Sequence, residues 1–547
     1  MWRLNAVCHK AGRKGSDLEE FKFKRRAHEK ELRRARKDSQ LVSKRLLLND
    51  DEEEDGTMDT LASDQVVELF KMVRHGRDFV KKEADLRALR KALRSPSAHL
   101  ILIKQPNSIA ILVTNLCGPN PQCRLEAARC LHELSHSPHS EVDSLRLRQA
   151  TPYLITFLSG QSPKFTELCL YTLGNMCPDS ENVGDMLLAQ GIIPALNSCI
   201  QIHRTNLAVV EAVGFTLSQL ISANYATGRI IPAVLASGLI PHLLSVLTPD
   251  SQFGLGPVIE CAWCLHYLAC SNVDNGALVA QGTLLHCTSL LVTLGGAVAK
   301  GSIEEGMELL IWPLLRCVGN LLLSGPLGAL QPQLNDSRLL AALCAFPQAF
   351  LQTHPALARE SVWVLNNLTA AADSSVFCSA LFYLNLVPAL IQLLPFSHGI
   401  NIMVLRVLGN IAHQGREYCL HLAQAGLLPA LCATLKMADP EVVTFSLEVL
   451  GQLMASDPQL AEEFVRQSGL PVLEAIQYSN QETIRLRATH LLEHHLPPHC
   501  TNNLSSSGHR LYKVLLAHVD YNGSHSCVRL ADCPLGGGPF LTHMGNC

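Results

Sequence analysis

Aromatic side chains are scarce in this chain. Phe, Trp and Tyr together make up 5% of its 547 residues and charged residues only 17%, while apolar residues reach 48% and mean hydropathy is +0.16. So few rings disfavour a β-sandwich core, and the Leu- and Ala-rich remainder suits stacked helices. Signatures of chemistry are missing too. There is no Gly-rich phosphate loop, no Gly-x-Ser-x-Gly elbow and no His, Asp and Ser grouping at strand-to-helix turns, so neither enzymatic activity nor a cofactor is expected. Cys261-x-x-Cys264 has zinc-ligand spacing but no second Cys or His pair at a suitable distance, and no metal site is expected. The N-terminus is polar and basic with no apolar h-region, so no secretory leader is expected. The twenty cysteines lie scattered within apolar helical runs and read as buried thiols in a reducing compartment.

Three charge-free runs, Asn275 to Ala299, Cys317 to Leu334 and Leu339 to Ala358, raise the question of a membrane span, for which about 20 residues suffice. Their content argues against insertion. The first holds Asn275, Gln281, His286 and four glycines, and the others carry prolines and glutamines. Apolar inner helices of a helical stack give the same hydropathy trace. Membrane association stays as an alternative on hydropathy alone.

What is present is a register. Seven segments share one pattern, a ring or long side chain followed four residues later by a polar one: Tyr171-Thr-Leu-Gly-Asn175, Phe215-Thr-Leu-Ser-Gln219, Trp263-Cys-Leu-His-Tyr267, Arg316-Cys-Val-Gly-Asn320, Trp363-Val-Leu-Asn-Asn367, Arg406-Val-Leu-Gly-Asn410 and Glu448-Val-Leu-Gly-Gln452. An earlier copy, Arg129-Cys-Leu-His-Glu133, fits the frame, and the last residues of successive copies lie 42, 44, 48, 53, 47, 43 and 42 positions apart. That period belongs to stacked helical repeats. Positions i and i+4 share a helix face, so each repeat presents the same two-residue fixture on one side of the stack.

Punctuation recurs with the fixture. Gly191-Ile-Ile-Pro194, Gly238-Leu-Ile-Pro241 and Gly426-Leu-Leu-Pro429 each place Gly three residues before Pro, and Leu386-Val-Pro388 keeps the second half of the signal. Gly closes one helix in the left-handed conformation and Pro opens the next. A short first helix, a second, and a third carrying the fixture is the armadillo unit. The fold class expected is therefore all-α, an armadillo-repeat superhelical solenoid of about eight to nine repeats over residues 65–497.

Charge is uneven at one end. Net charge is only −3, yet Lys22 to Arg45 carries eleven Lys or Arg against three acids, and six consecutive acids follow from Asp50 to Asp55. Residues 1–48 read as a basic arm, helical over Phe21 to Leu48, and 49–64 as an acidic flexible linker. Residues 498–547, rich in His, Cys and Gly, are expected to be a disordered tail. Aromatic interleaving is absent from the arm after Phe23, and no nucleic-acid partner is expected.

Two roles suit the fixture. Its ring can flank the stem of a Lys or Arg, at about 0.5–2 kcal/mol of cation–π attraction, while the Asn grips the backbone of an extended peptide. Alternatively, ring and Asn lock one repeat to the next.

The arm segment Glu31-Leu-Arg-Arg-Ala-Arg-Lys-Asp-Ser-Gln40 resembles the importin-β-binding arm of importin α. The repeats are collinear with that family: Glu126-Ala-Ala-Arg129 resembles its first fixture, Ala262-Trp-Cys-Leu-His-Tyr267 its fourth, Leu315-Arg-Cys-Val-Gly-Asn320 its fifth and Trp363-Val-Leu-Asn-Asn367 its sixth. The resemblance covers about residues 21–495 and implies a peptide groove carried by Tyr171, Asn175, Asp179, Trp263, Tyr267, Arg316, Asn320, Trp363, Asn367 and Asn410. It implies an importin β contact through Arg25, Arg26, Leu32, Arg33, Arg34, Arg36, Lys37, Lys44 and Arg45. The departures fall mainly in the first half. Arg129, Tyr171 and Phe215 stand where the family has Trp, and Glu133 and Gln219 where it has Asn. The half from Trp263 to Asn410 keeps more, although Arg406 replaces a Trp there. The implied function is a nuclear-import adaptor of the cytoplasm and nucleus that binds basic nuclear-localisation peptides in the groove and importin β through the arm. An armadillo scaffold with other linear peptide ligands and no import role, or a membrane-associated protein, remains the alternative.

Overall fold

The computed structural model of the chain describes residues 63–136, 147–160, 162–177, 181–222, 226–248, 254–325, 327–334, 336–371, 374–396 and 399–496. Among these every regular element is helical, and the fold is an all-α solenoid. Two compact units divide it, one through Leu427 and the other from Leu428. The basic arm, nearly all of the acidic linker and the tail lie outside the described residues.

The eight fixtures sit on eight helices: α1 (Pro121–Leu134), α2 (Pro163–Met176), α3 (Leu207–Ser222), α4 (Leu255–Ser271), α5 (Met307–Leu321), α6 (Pro355–Ala370), α7 (Ile400–Ala412) and α8 (Pro440–Ser456). In the first unit each of α1 to α6 packs directly on the next. In the second, α8 packs on the helix Glu482–His495, where Arg487 pairs with Glu448. The first and last of these helices begin at a side-chain cap. Asn120 accepts from the Gln122 and Cys123 amides ahead of Pro121, and Asp439 accepts from the Glu441 amide ahead of Pro440. Such a cap stabilises a helix by about 1 kcal/mol.

The Gly-x-x-Pro punctuation has the expected backbone. Gly191, Gly238 and Gly426 have φ of +81°, +81° and +89°. At the Leu386-Val-Pro388 copy Asn385 takes the left-handed role, with φ +52°. These bends also divide the apolar runs. No single described helix is long and apolar enough to cross a membrane. Two helix pairs reach the threshold only together, Glu181–Ala189 with Ile192–Ile202 bent by 65° and Ala226–Ala236 with Leu239–Val246 bent by 79°. Both bends fall at the repeat glycines. The charge-free run from Asn275 is likewise broken at Gly282, φ +84°.

Close approach between fixture helices depends on a second set of glycines. A Cβ on Gly174 would stand 2.8 Å from the Phe215 ring, and one on Gly319 would stand 2.0 Å from the Trp363 ring. In each case the fourth residue of one fixture lies under the first residue of the next. Gly174→Ala should therefore destabilise the protein. The overpacking penalty is about 1–3 kcal/mol, against a helix-propensity gain of about 1 kcal/mol. A lower urea midpoint checks it, and an unchanged or raised midpoint would show that Phe215 can yield.

Cysteines fill the interior. All described cysteines but Cys117 and Cys270 are buried, and no disulfide joins them. Burial pushes the Cys199 and Cys344 thiols up to about 12 and Cys378 to about 11, far from a nucleophilic thiolate. Cys261 and Cys264 lie in α4, and Cys264 donates to the Gly214 carbonyl at 3.2 Å.

Candidate functional site

The fixtures line up as expected on successive helices, and most of their side chains are buried between repeats, with Arg129, Asn320, Arg406, Glu448 and Gln452 half-buried. The amides reach backward. Asn175 Nδ2 donates to Ser135 Oγ at 3.0 Å, Asn367 Nδ2 to the Gly319 carbonyl at 3.0 Å, and Asn410 Nδ2 to Asn366 Oδ1 at 3.3 Å and Thr369 Oγ1 at 3.2 Å. Each bond joins a fixture helix to the repeat before it. Asn320 differs: its Nδ2 is sheltered and has no acceptor, an arrangement that costs about 1–3 kcal/mol when left unsatisfied.

The first fixture positions behave in the same way. The Tyr171 ring meets the Phe215 ring at 5.1 Å between centroids. Trp263 is 1% exposed. Trp312 stacks on it at 5.3 Å and 24°, Tyr267 tilts against it at 5.6 Å, and His266 sets its edge to both indoles. The fixture is thus part of an aromatic cluster, with geometry that adds to simple area burial.

Beside this cluster lies a caged arginine. Arg316 is 4% exposed, and its guanidinium carbon sits 5.6 Å from the centroid of Trp312 and 5.5 Å from that of Trp363. Its Nη1 donates to Glu360 Oε2 at 3.4 Å, and Glu360 is 2% exposed. Arg359 approaches the other carboxylate oxygen at 3.9 Å. The cage holds a protein guanidinium between two indoles, the geometry that attracts a basic side chain to Trp.

The first repeat solves its loss of Trp differently. Arg129 Nη1 donates to Glu126 Oε1 at 2.6 Å on its own helix, and Arg90 Nε lies 3.1 Å from Glu126 Oε2. The register-derived site omits Trp312 and the buried acids Glu126, Glu260 and Glu360. A signal for them was present. Each acid stands three residues before a first fixture position, and Trp312 stands four before Arg316, both same-face spacings on a helix. Asp179 and the arm residues Arg25, Arg26, Leu32, Arg33, Arg34, Arg36, Lys37, Lys44 and Arg45 lie outside the described residues.

Comparison with known proteins agrees with this architecture. The family model described as TMCO6 matches residues 66–496. Importin subunit alpha-9 of Arabidopsis thaliana is 25% identical over 465 residues, covering 81% of this chain and 85% of that protein. Among solved structures, an engineered protein superposes with a TM-score of 0.63 at 19% identity, over 79% of this chain and 98% of that one. The last likeness speaks to the fold alone.

Proposed function

The chain belongs to the TMCO6 family, and from that membership and its likeness to an importin α subunit we propose that it is an importin-α-like adaptor. In this reading the stack of fixture helices holds a linear peptide with basic side chains, over the half that runs from Trp263 to Asn410. The basic arm binds importin β. The observation that carries the groove assignment is Asn320. Its Nδ2 is a ladder amide donor with no acceptor among the described residues, and once this half-buried side chain turns outward a peptide carbonyl laid along α5 and α6 would supply one.

A second reading is favoured by the Arg316 cage. Where Arg316 occupies the space between Trp312 and Trp363, a ligand Lys or Arg must displace it or bind elsewhere. A scaffold that reads another linear peptide and has no import role needs no such displacement.

The arm distinguishes the readings. Charge-assisted contacts from Arg33, Arg34, Arg36 and Lys37 to carboxylates of importin β would carry the affinity, and binding should weaken as salt rises. Substituting all four with Ala in the full chain should lower affinity for importin β at least tenfold, about 1.4 kcal/mol. Titration of labelled importin β measures this. Retention unchanged by the substitutions would favour the scaffold.

A further inference from the structure

The C-terminal end of α1 and the turn after it carry two histidines one helical turn apart. Nε2 of His132 and Nε2 of His136 face each other at 3.2 Å. Their ring planes are nearly perpendicular, at 83°, with centroids 4.6 Å apart. His132 is buried and His136 half-buried, so one ring is fixed and the other is reached from solvent.

Neighbouring groups orient both rings. The Thr172 hydroxyl on α2 donates to the Leu168 carbonyl at 2.7 Å. Its oxygen can then only accept from His132 Nδ1, 3.5 Å away. This puts the His132 proton on Nδ1 and turns the Nε2 lone pair toward His136. On the other side, Ser135 Oγ donates to the His132 carbonyl at 2.6 Å and accepts from Asn175 Nδ2 at 3.0 Å. The same Asn175 nitrogen lies 3.4 Å from Nδ1 and 3.5 Å from Nε2 of His136.

Two imidazole nitrogens bound to one ion at about 2.0–2.1 Å and a near-tetrahedral angle stand roughly 3.3 Å apart. The histidine pair is already at 3.2 Å. We propose that His132 and His136 form a two-imidazole binding site for a divalent transition ion of the Zn2+, Ni2+ and Cu2+ class. Water completes the coordination shell, and Thr172 holds the first ligand in the correct tautomer, the outer-shell role that metal-bound histidines commonly require. The proton between the two Nε2 atoms moves to His136 Nδ1 as the ion enters, and the Asn175 amide nitrogen gives up its contact with that atom while keeping Ser135. Mg2+ and Ca2+ are excluded because they require oxygen ligands.

Spacing alone does not make this site. In the second unit His490 and His494 have the same separation on Glu482–His495. Their rings are stacked in parallel, 4.2 Å apart at 12°, and His494 Nδ1 contacts the His490 carbonyl at 3.0 Å. Parallel rings present faces to each other rather than converging lone pairs. The pair is a control within the same chain.

The test is acylation of histidines by diethyl pyrocarbonate in the full-length protein, read residue by residue by peptide mass spectrometry. Ni2+ at about 50 µM should slow modification of His136 by about fivefold or more, as expected of an imidazole held by a metal. It should do so at concentrations that leave His490 reactive. Mg2+ should have no effect. In His132→Asn, protection of His136 by Ni2+ should disappear. Absence of protection in the wild-type chain would overturn the proposal whether or not the variant folds. Protection of His490 at equal or lower Ni2+, or persistent protection of His136 in a folded His132→Asn variant, would overturn it as well.

Discussion

Arg316→Met is expected to destabilise the protein by about 3–5 kcal/mol, the usual result of removing one member of a buried ion pair. Met is shorter than Arg but close to it in volume, so lost volume is a minor part of the effect. What changes is the surroundings of Glu360. Its carboxylate is 2% exposed, and Arg359 stands 3.9 Å away. Two indoles also lose a cation that lies within 6 Å of each ring centroid, at about 0.5–2 kcal/mol per ring. Arg316→Lys should fall between wild type and Met, because an ammonium keeps the charge and loses the planar stacking.

The double variant Arg316→Met with Glu360→Leu supplies the sign. If the single substitution hurts through an orphaned carboxylate, removing that carboxylate should recover most of the loss, since apolar replacement of a buried pair is often neutral. The coupling in the double-mutant cycle should then be about 2 kcal/mol or more. Urea unfolding followed by amide exchange over α5 and α6 measures it. A double variant as damaged as the sum of its singles would mean that the arginine acts through packing against Trp312 and Trp363, with little contribution from the pair.

Much of this architecture was legible in the residue order. The period of the fixtures located α1 to α8, and the Gly-x-x-Pro signal placed the left-handed turns at Gly191, Gly238 and Gly426. These features are local: a cap, a φ angle and a face spacing act within a few residues. The environment of the fixture was less accessible. The pattern Arg316-Cys-Val-Gly-Asn320 states that Arg316 and Asn320 share a face, but it does not state what covers that face. The cover comes from the adjacent repeat and from Trp312, so burial of Trp263 depends on the stacking distance between helices. At the α2–α3 and α5–α6 junctions that distance is set by Gly174 and Gly319, which lie under the Phe215 and Trp363 rings. Those glycines were part of the pattern as small residues, and their role became definable only with the ring that occupies the space above them. The His132 and His136 pair was hidden for a related reason. An i, i+4 pair of histidines is common, and the orientation that distinguishes it from His490 and His494 is supplied by Thr172 and Asn175 of the next repeat.

Trp363→Ala combined with Asn367→Ala has the second large expected effect, and it separates packing from recognition. Trp363 is 8% exposed and its ring covers Gly319, so truncation should cost about 3–5 kcal/mol. Loss of the Asn367 bond to the Gly319 carbonyl adds about 0.5–1.5 kcal/mol. The matched pair Tyr171→Ala with Asn175→Ala removes a buried ring against Phe215 and an amide bond to Ser135, so it should weaken its own repeat junction comparably. The two variants should differ in ligand binding. At a temperature where both remain folded by circular dichroism, affinity for a linear Lys- and Arg-rich peptide should fall at least tenfold, about 1.4 kcal/mol, for the Trp363 and Asn367 variant, and little for the other. A greater loss in the Tyr171 and Asn175 variant would move the groove to the first repeats. Equal destabilisation with no change in peptide affinity for either would mean that the fixtures serve the stack alone, and the Arg316 cage would then be the completed form of the ladder rather than a contact that a basic ligand displaces.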